Sequence, residues 1–242
     1  MEHTSSCQPK SSFRHRVEIH VFLHTPSRCR SPQRALLATR TVRGCKAGFS
    51  HHIRCRLSPF PAVQIDAGQG NVVMTDSNNY AYFLLGSQWY KMGSLTLKHV
   101  SVGPAGIWGV ALDDRVYKYV AGSFVFANGQ TLQQVDAGGD GQVVGVTDTS
   151  TIHCLKSTIA SDYRKQSTLS WTTITGGLMY VSCSSKYGCW GVNSVQNIYF
   201  KITPSTCGIS GTTLVDGLAV KVETGTDGSV FVVTKDGEVF QR

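Results

Sequence analysis

Five oxygen-bearing residues recur at one place in a repeated pattern: Asp66, Ser101, Asp136, Ser182 and Glu223, each directly after an aliphatic residue, Ile65, Val100, Val135, Val181 and Val222. Gathered into a ring, such oxygens with excess negative charge suit a hard cation, and calcium takes about 6 to 8 oxygen ligands. Asp66, Asp136 and Glu223 are therefore candidate calcium ligands. The other reading of the same column is structural, each side chain closing the tight turn that follows by accepting a backbone N–H.

A second chemistry is carried by aromatics beside amides and acids. Tyr80, Trp89, Tyr90, Tyr163, Trp171 and Tyr187 fall at strand ends or in connections, and Asp113 and Asp114 form a polar turn. An aromatic face meets the apolar C–H side of a pyranose while carboxylates and amides bond its hydroxyls. These eight residues are the candidate carbohydrate contacts, although each type is also ordinary in turns and in packing. Asn, Asp and Ser in the turns 75–79, 147–151 and 193–197 offer further amide and hydroxyl groups. Trp108 and Trp190, each before Gly-Val, read as packing between repeats.

Cys183 and Cys189 flank a five-residue turn within one hairpin, a geometry two facing strands can bridge. Cys154 and Cys207 end or follow the third strands of successive repeats and could pair between them. Such pairing fits an oxidising, extracellular setting; reduced buried thiols are the alternative. Catalytic motifs are absent: there is no G-x-S-x-G, no H-E-x-x-H and no phosphate loop, and His99 and His153 are the only histidines in the repeats. The expectation is a protein that is not an enzyme.

The elements that must position these residues are short strands. HVSVGPAGIWGVALDDRVY, from His99 to Tyr117, reads as strand, Gly-Pro-Ala-Gly turn, strand, polar turn and strand. Four more copies begin at Gln64, Gln134, Tyr180 and Lys221, so the starts lie roughly 35 to 46 residues apart, the period of a four-stranded propeller blade. Gly-rich turns every eight to ten residues, with Val, Ile, Tyr and Thr between them, leave no room for a helix in the repeats. The fold class expected is all-β, a β-propeller with five recognisable blades. Trp89–Met92, Phe124–Phe126, Trp171–Ile174 and Leu214-Val215 read as outer strands. The long connections 156–170 and 203–213 are where a binding surface is expected.

The chain divides at residue 58. Of its net charge of +8, residues 1–58 carry eleven Lys and Arg against two acids, while residues 59–242 carry twelve against thirteen. The basic quarter has six of the eight His and four of the eight Cys without a sustained period, and it reads as an irregular, disordered segment. Its charge also allows a polybasic arm for nucleic acid or an anionic surface, while Cys29, Cys45, Cys55, His51 and His52 lack the C-x-x-C or H-x-x-x-H spacing of a metal site. No nucleic-acid partner is expected. No secretory signal and no bilayer-long apolar run are visible.

The phrases KHVSVGPAGIWGV, QQVDAGGDGQVVGV, VSCSSKYGCWGVNS and VETGTDGSVF resemble the tectonin repeats of the fish-egg lectins, a family also similar to tachylectin, over about residues 59 to 242. The resemblance implies a secreted, six-bladed propeller. Such a protein binds N-acetylglucosamine and bacterial surface glycans such as lipopolysaccharide in crevices between blades. It also implies a calcium ion in the central tunnel, disulfides and a role in innate defence; a homodimer is left open. Five repeats stand here where the family has six, and residues 1–58 match neither a blade nor a leader, so the first blade and signal read as replaced. The alternative is a non-catalytic protein-interaction propeller that has lost sugar binding.

Overall fold

The computed structural model describes residues 15–17, 61–163, 168–202, 206–208 and 210–242. One short strand lies upstream of the repeats, β1 (His15–Val17). The first blade is β2 (Ala62–Gly68), β3 (Asn71–Asp76), β4 (Tyr80–Leu85) and the first half of β5 (Gln88–Gly103). The second half of β5 opens the second blade, completed by β6 (Gly106–Ala111), β7 (Arg115–Val120) and β8 (Ser123–Thr131). The third is β9 (Gln134–Asp136), β10 (Val143–Val146), β11 (Thr151–Leu155) and β12 (Thr172–Gly177), with α1 (Ser157–Asp162) between its last two strands. The fourth is β13 (Tyr180–Ser184), β14 (Gly188–Val192), β15 (Asn197–Ile202) and β16 (Ser210–Leu218). In the fifth, β17 (Lys221–Thr224), β18 (Val230–Val233) and β19 (Val239–Gln241) are joined by β1, which pairs antiparallel with β19.

This last pairing adds to what the sequence shows. Part of the basic quarter read as irregular contributes the outer strand of the final blade, in the register His15 to Gln241 and Val17 to Val239. A three-residue strand leaves too short a periodicity to be read from sequence, and only the free edge of β19 selects it. Cys29, Cys45, Cys55, His51, His52 and, β1 apart, the rest of residues 1–58 lie outside the described residues.

The repeat pattern dictates the packing. Each inner strand alternates its side chains between the preceding and the following blade. The apolar core accordingly falls into clusters between consecutive blades: Val73, Leu97 and Val100; Trp108, Leu132 and Val135; Val144, Leu178 and Val181; Trp190, Ala219 and Val222. The aliphatic column fills these interfaces, with Val100, Val135 and Val222 fully buried, whereas Ile65, which begins the series, is 57% exposed.

Glycines let the blades approach near the axis. A Cβ on Gly68, Gly103 or Gly138 would lie 2.2, 2.0 or 2.4 Å from a backbone oxygen of the next inner strand, those of Val102, Ala137 and Cys183. The turn between second and third strands also repeats. Asp76, Thr147, Asn193 and Thr234 each accept the N–H four residues on, and Asn79, Asp114, Ser150 and Gln196 adopt positive φ. The carbonyls of these last four accept the N–H groups of Leu97, Leu132, Leu178 and Ala219, which open the following blades.

Candidate functional site: a crevice between the third and fourth blades

A cavity of about 400 Å³ opens between the third and fourth blades. Val144 and Ile152 line it from the third blade, and Leu178, Val181 and Tyr199 from the fourth. Ser150, Thr175, Asn193, Ser194 and Thr212 supply its polar lining. Asn193 is fixed by its turn, Oδ1 accepting from Val195 N at 3.1 Å and from Asn197 N at 2.9 Å, and its Nδ2 donates toward the Tyr199 hydroxyl at 3.4 Å. An apolar floor to which Trp190 and Tyr199 both contribute, with a margin of amide and hydroxyl groups, is suited to a small polar ligand with an apolar face. Among the described residues, no acid, histidine or lysine lines the cavity.

Both disulfides border this interface. Cys154 of β11 joins Cys207 of the connection after β15, tying the third blade to the fourth, and Cys183 joins Cys189 within the β13–β14 hairpin. Both pairings agree with the sequence reading, and all four sulfurs belong to the core between these two blades.

The polar column has a different use from a metal ring. Asp66 Oδ2 accepts from Val102 N at 2.7 Å, Ser101 Oγ from Ala137 N at 2.9 Å, Asp136 Oδ1 from Cys183 N at 3.2 Å, and Ser182 Oγ from Thr224 N at 3.0 Å. Each member thus bonds the inner strand of the next blade. Asp66 and Asp136 also bond their own turns, at Ala67 N and Gly138 N, as the structural reading expects. Glu223, the last in the series, instead accepts the Tyr180 hydroxyl at 2.6 Å.

The three carboxylates still feel one another. Burial, with the charges of Asp66 and Glu223, pushes the Asp136 carboxyl well above the usual range, and burial raises Asp66 against the pull of its hydrogen bonds. Glu223 is pushed up to about 7, mainly by burial. Beside it, burial and the Lys221 and Lys98 charges hold His99 down to about 3, with its Nε2 3.4 Å from the Tyr180 hydroxyl. Among the described residues no three His, Cys, Asp or Glu side chains converge on one point. The acids are drawn to backbone and tyrosine donors, so as arranged they do not fit a shared calcium ion.

The structure scatters the eight sequence-named carbohydrate contacts, and none lines the cavity. Tyr80, Trp89 and Tyr90 stand together on the outer strands of the first blade, where Lys91 Nζ sits 3.1 Å from the Tyr80 ring centroid and Tyr90 stacks on Phe83 with centroids 5.5 Å apart. Asp113 faces Arg115, and Asp114 is held by Lys98 and Gln133. Tyr187 lies over Gly228, where a Cβ would come within 2.8 Å of its ring.

Tyr163 is a core residue, and Trp171 packs partly buried against the same core. The described residues of this connection, 156–163 and 168–170, meet the interface of the second and third blades, with Tyr163 buried, its hydroxyl bonded to the Phe126 carbonyl, and Lys118 Nζ bonded to the carbonyl of Ala160 at 2.5 Å. Long connections attract function because they stay wet; this one buries Ala160 and Leu169 instead, with Ile159 packed partly buried beside them. Of the cavity residues, Ser150, Asn193 and Ser194 lie in turns whose amide and hydroxyl groups are visible in the sequence, whereas Thr175, Tyr199 and Thr212 carry no such local signal.

Antiparallel four-stranded blades with cores between them define a β-propeller built from sequence repeats. Residues 61–242 match the Tectonin domain model, and the chain belongs to the tectonin family. Over 112 residues it is 40% identical to the fish-egg lectin of Cyprinus carpio, a match covering 45% of this chain and 46% of that protein, less than half its length. Two solved structures share the fold. YCF48 from Cyanidioschyzon merolae aligns with a TM-score of 0.53 at 13% identity, covering 77% of this chain and 71% of that one. Human WBSCR16 aligns with a TM-score of 0.50 at 12% identity, covering 74% and 61%. No helix among the described residues is long and apolar enough to cross a membrane.

Proposed function

We propose that this chain is a non-catalytic carbohydrate-binding propeller that takes a saccharide residue in the crevice between its third and fourth blades. The observation that carries the reading is the 400 Å³ cavity with an apolar floor and the Asn193 and Tyr199 polar groups at its wall. Its volume is that of a small-ligand site, about 300 to 1,000 Å³. The likeness to a protein named fish-egg lectin supports the ligand class. N-acetylglucosamine-terminated chains and bacterial surface glycans such as lipopolysaccharide are the proposed targets, with a role in innate defence. Two disulfides favour an extracellular place of work.

A glycan array probed with folded protein tests this. Signal on N-acetylglucosamine-terminated or lipopolysaccharide spots, lost in N193A, is expected. A blank array from protein with both disulfides formed overturns the reading.

A further inference from the structure

We infer that the axis of this chain is held by a phenol rather than by a metal ion. Tyr180 ties the second, fourth and fifth blades together, and the donors already turned on Asp66, Asp136 and Glu223 leave calcium no shell to complete.

Two residues before the polar column stand Gln64, His99, Gln134, Tyr180 and Lys221. They face the same way as the column, because a strand repeats its side-chain direction at every second residue. Gln64 and Gln134 reach only the adjacent blade, at Val100 and Val181. His99 and Tyr180, both buried, reach further. The Tyr180 hydroxyl donates to Glu223 Oε1 at 2.6 Å, and His99 Nε2 lies 3.4 Å from the same oxygen, the two rings meeting edge to face with centroids 5.9 Å apart. Lys221 Nζ stands 5.5 Å from the Tyr180 ring centroid. One phenol thus joins the second blade to the fifth, which are not neighbours in the series.

Calcium takes about 6 to 8 oxygens at about 2.3 to 2.6 Å. Around the axis the oxygens are already taken. Asp66 gives Oδ1 to Ala67 N and Oδ2 to Val102 N, Asp136 gives Oδ1 to both Gly138 N and Cys183 N, and Glu223 gives Oε1 to Tyr180. Ser101 Oγ and Ser182 Oγ accept from Ala137 N and Thr224 N, and the carbonyls of Val100 and Val181 accept the glutamine amides. A cation entering here would strip backbone N–H groups of their acceptors, and unpairing a buried donor is costly.

The two kinds of tie differ in what they answer to. A metal bridge comes and goes with the cation concentration around the protein, whereas the chain itself supplies Tyr180. The joint between the second, fourth and fifth blades therefore forms with the fold and is indifferent to chelators. This departs from the calcium that the family resemblance implies, and the departure lies in one residue. At the register of Tyr180 the other inner strands carry Gln64, His99, Gln134 and Lys221, none with a hydroxyl.

Thermal melts of the wild-type protein with both disulfides formed, in excess EDTA and in millimolar calcium, test this alongside a titration with terbium, a calcium-sized ion whose emission is sensitised by a tyrosine or tryptophan beside it. A ligand bound only by the folded state raises the melting temperature with its concentration. Here the two midpoints are expected to agree within about 1 °C, and terbium is expected to give no saturable emission. Y180F, which removes the hydroxyl alone, is expected to melt about 4 °C lower, by the same amount with and without calcium. A wild-type midpoint that climbs with calcium, or saturable terbium emission, either one lost in E223Q, overturns the inference. So does a Y180F protein that melts with the wild type. Should Y180F fail to fold, the wild-type melts and the terbium titration decide alone.

Discussion

Gln134 grips Val181 of the next blade with both ends of its amide, Nε2 donating to the carbonyl at 2.8 Å and Oε1 accepting from the N–H at 3.0 Å. Gln64 holds Val100 in the same way, at 2.8 and 3.0 Å. A side-chain amide thereby completes a backbone pair between two inner strands that share no ladder with each other, and neighbouring blades are locked in register.

Gln134 is buried and Gln64 half-buried, so their removal is not equivalent. Q134A leaves an N–H and a carbonyl of Val181 without partners away from water, and a buried unpaired group costs about 1–3 kcal/mol. We expect Q134A to destabilise by about 2–4 kcal/mol and Q64A by less. Urea denaturation of both variants measures the difference, and equal costs would contradict it.

Close approach at the axis predicts a steric effect. Gly103 needs no positive φ, yet a Cβ there would lie 2.0 Å from the Ala137 carbonyl oxygen, which is backbone and cannot swing aside. G103A is expected to cost about 3 kcal/mol or more. At Gly177 a Cβ would meet only the Ser150 carbonyl oxygen, at 3.5 Å, and the Ser150 Cβ, at 3.7 Å, both ordinary contacts, so G177A is expected to stay within about 1 kcal/mol of wild type. Thermal melts of the two variants separate them.

The Glu223 carboxyl, at about 7 in the folded chain against 4.5 when free, makes stability depend on pH. A group whose folded value is raised contributes its full stability below the unfolded value and loses it as pH climbs through the folded one. Between about pH 4.5 and 7 the wild type should therefore lose ground to E223Q, whose amide oxygen can still accept the Tyr180 hydroxyl. At about 1.4 kcal/mol per unit the gap is at most a few kcal/mol. His99, held down to about 3, acts oppositely and is common to both proteins, so the comparison cancels it. A melting-temperature difference that does not widen toward pH 7 would remove Glu223 from this role.

The two disulfides should differ in weight. Cys154–Cys207 closes a loop with a sequence separation of 53, Cys183–Cys189 one of 6. Loop-closure entropy assigns about 4 kcal/mol to the first and about 2 kcal/mol to the second. Paired Cys-to-Ser variants followed in guanidinium should show the larger loss for the C154S/C207S protein. The same variant should weaken glycan binding, because the bridge joins the two blades that wall the cavity.

The strands, their turns and their grouping into blades were legible in the chain because they rest on local signals: period-two apolar residues, positive-φ turn residues, and a repeat that restates them five times. Both disulfides were legible for the same reason, since a repeat fixes which strand ends become neighbours. The uses of single polar residues were not. Asp66 and Asp136 look alike as metal ligands or as staples until the N–H groups of Val102 and Cys183 are seen opposite them, and those lie 36 and 47 residues away. A long connection reads as wet, and only the apolar interface beside it buries Tyr163 and half-buries Trp171. The crevice belongs wholly to the tertiary level. A valine at position 144 carries no local sign of a cavity, because the cavity is a difference in volume between two packed sheets, and that difference exists only once the third and fourth blades stand face to face.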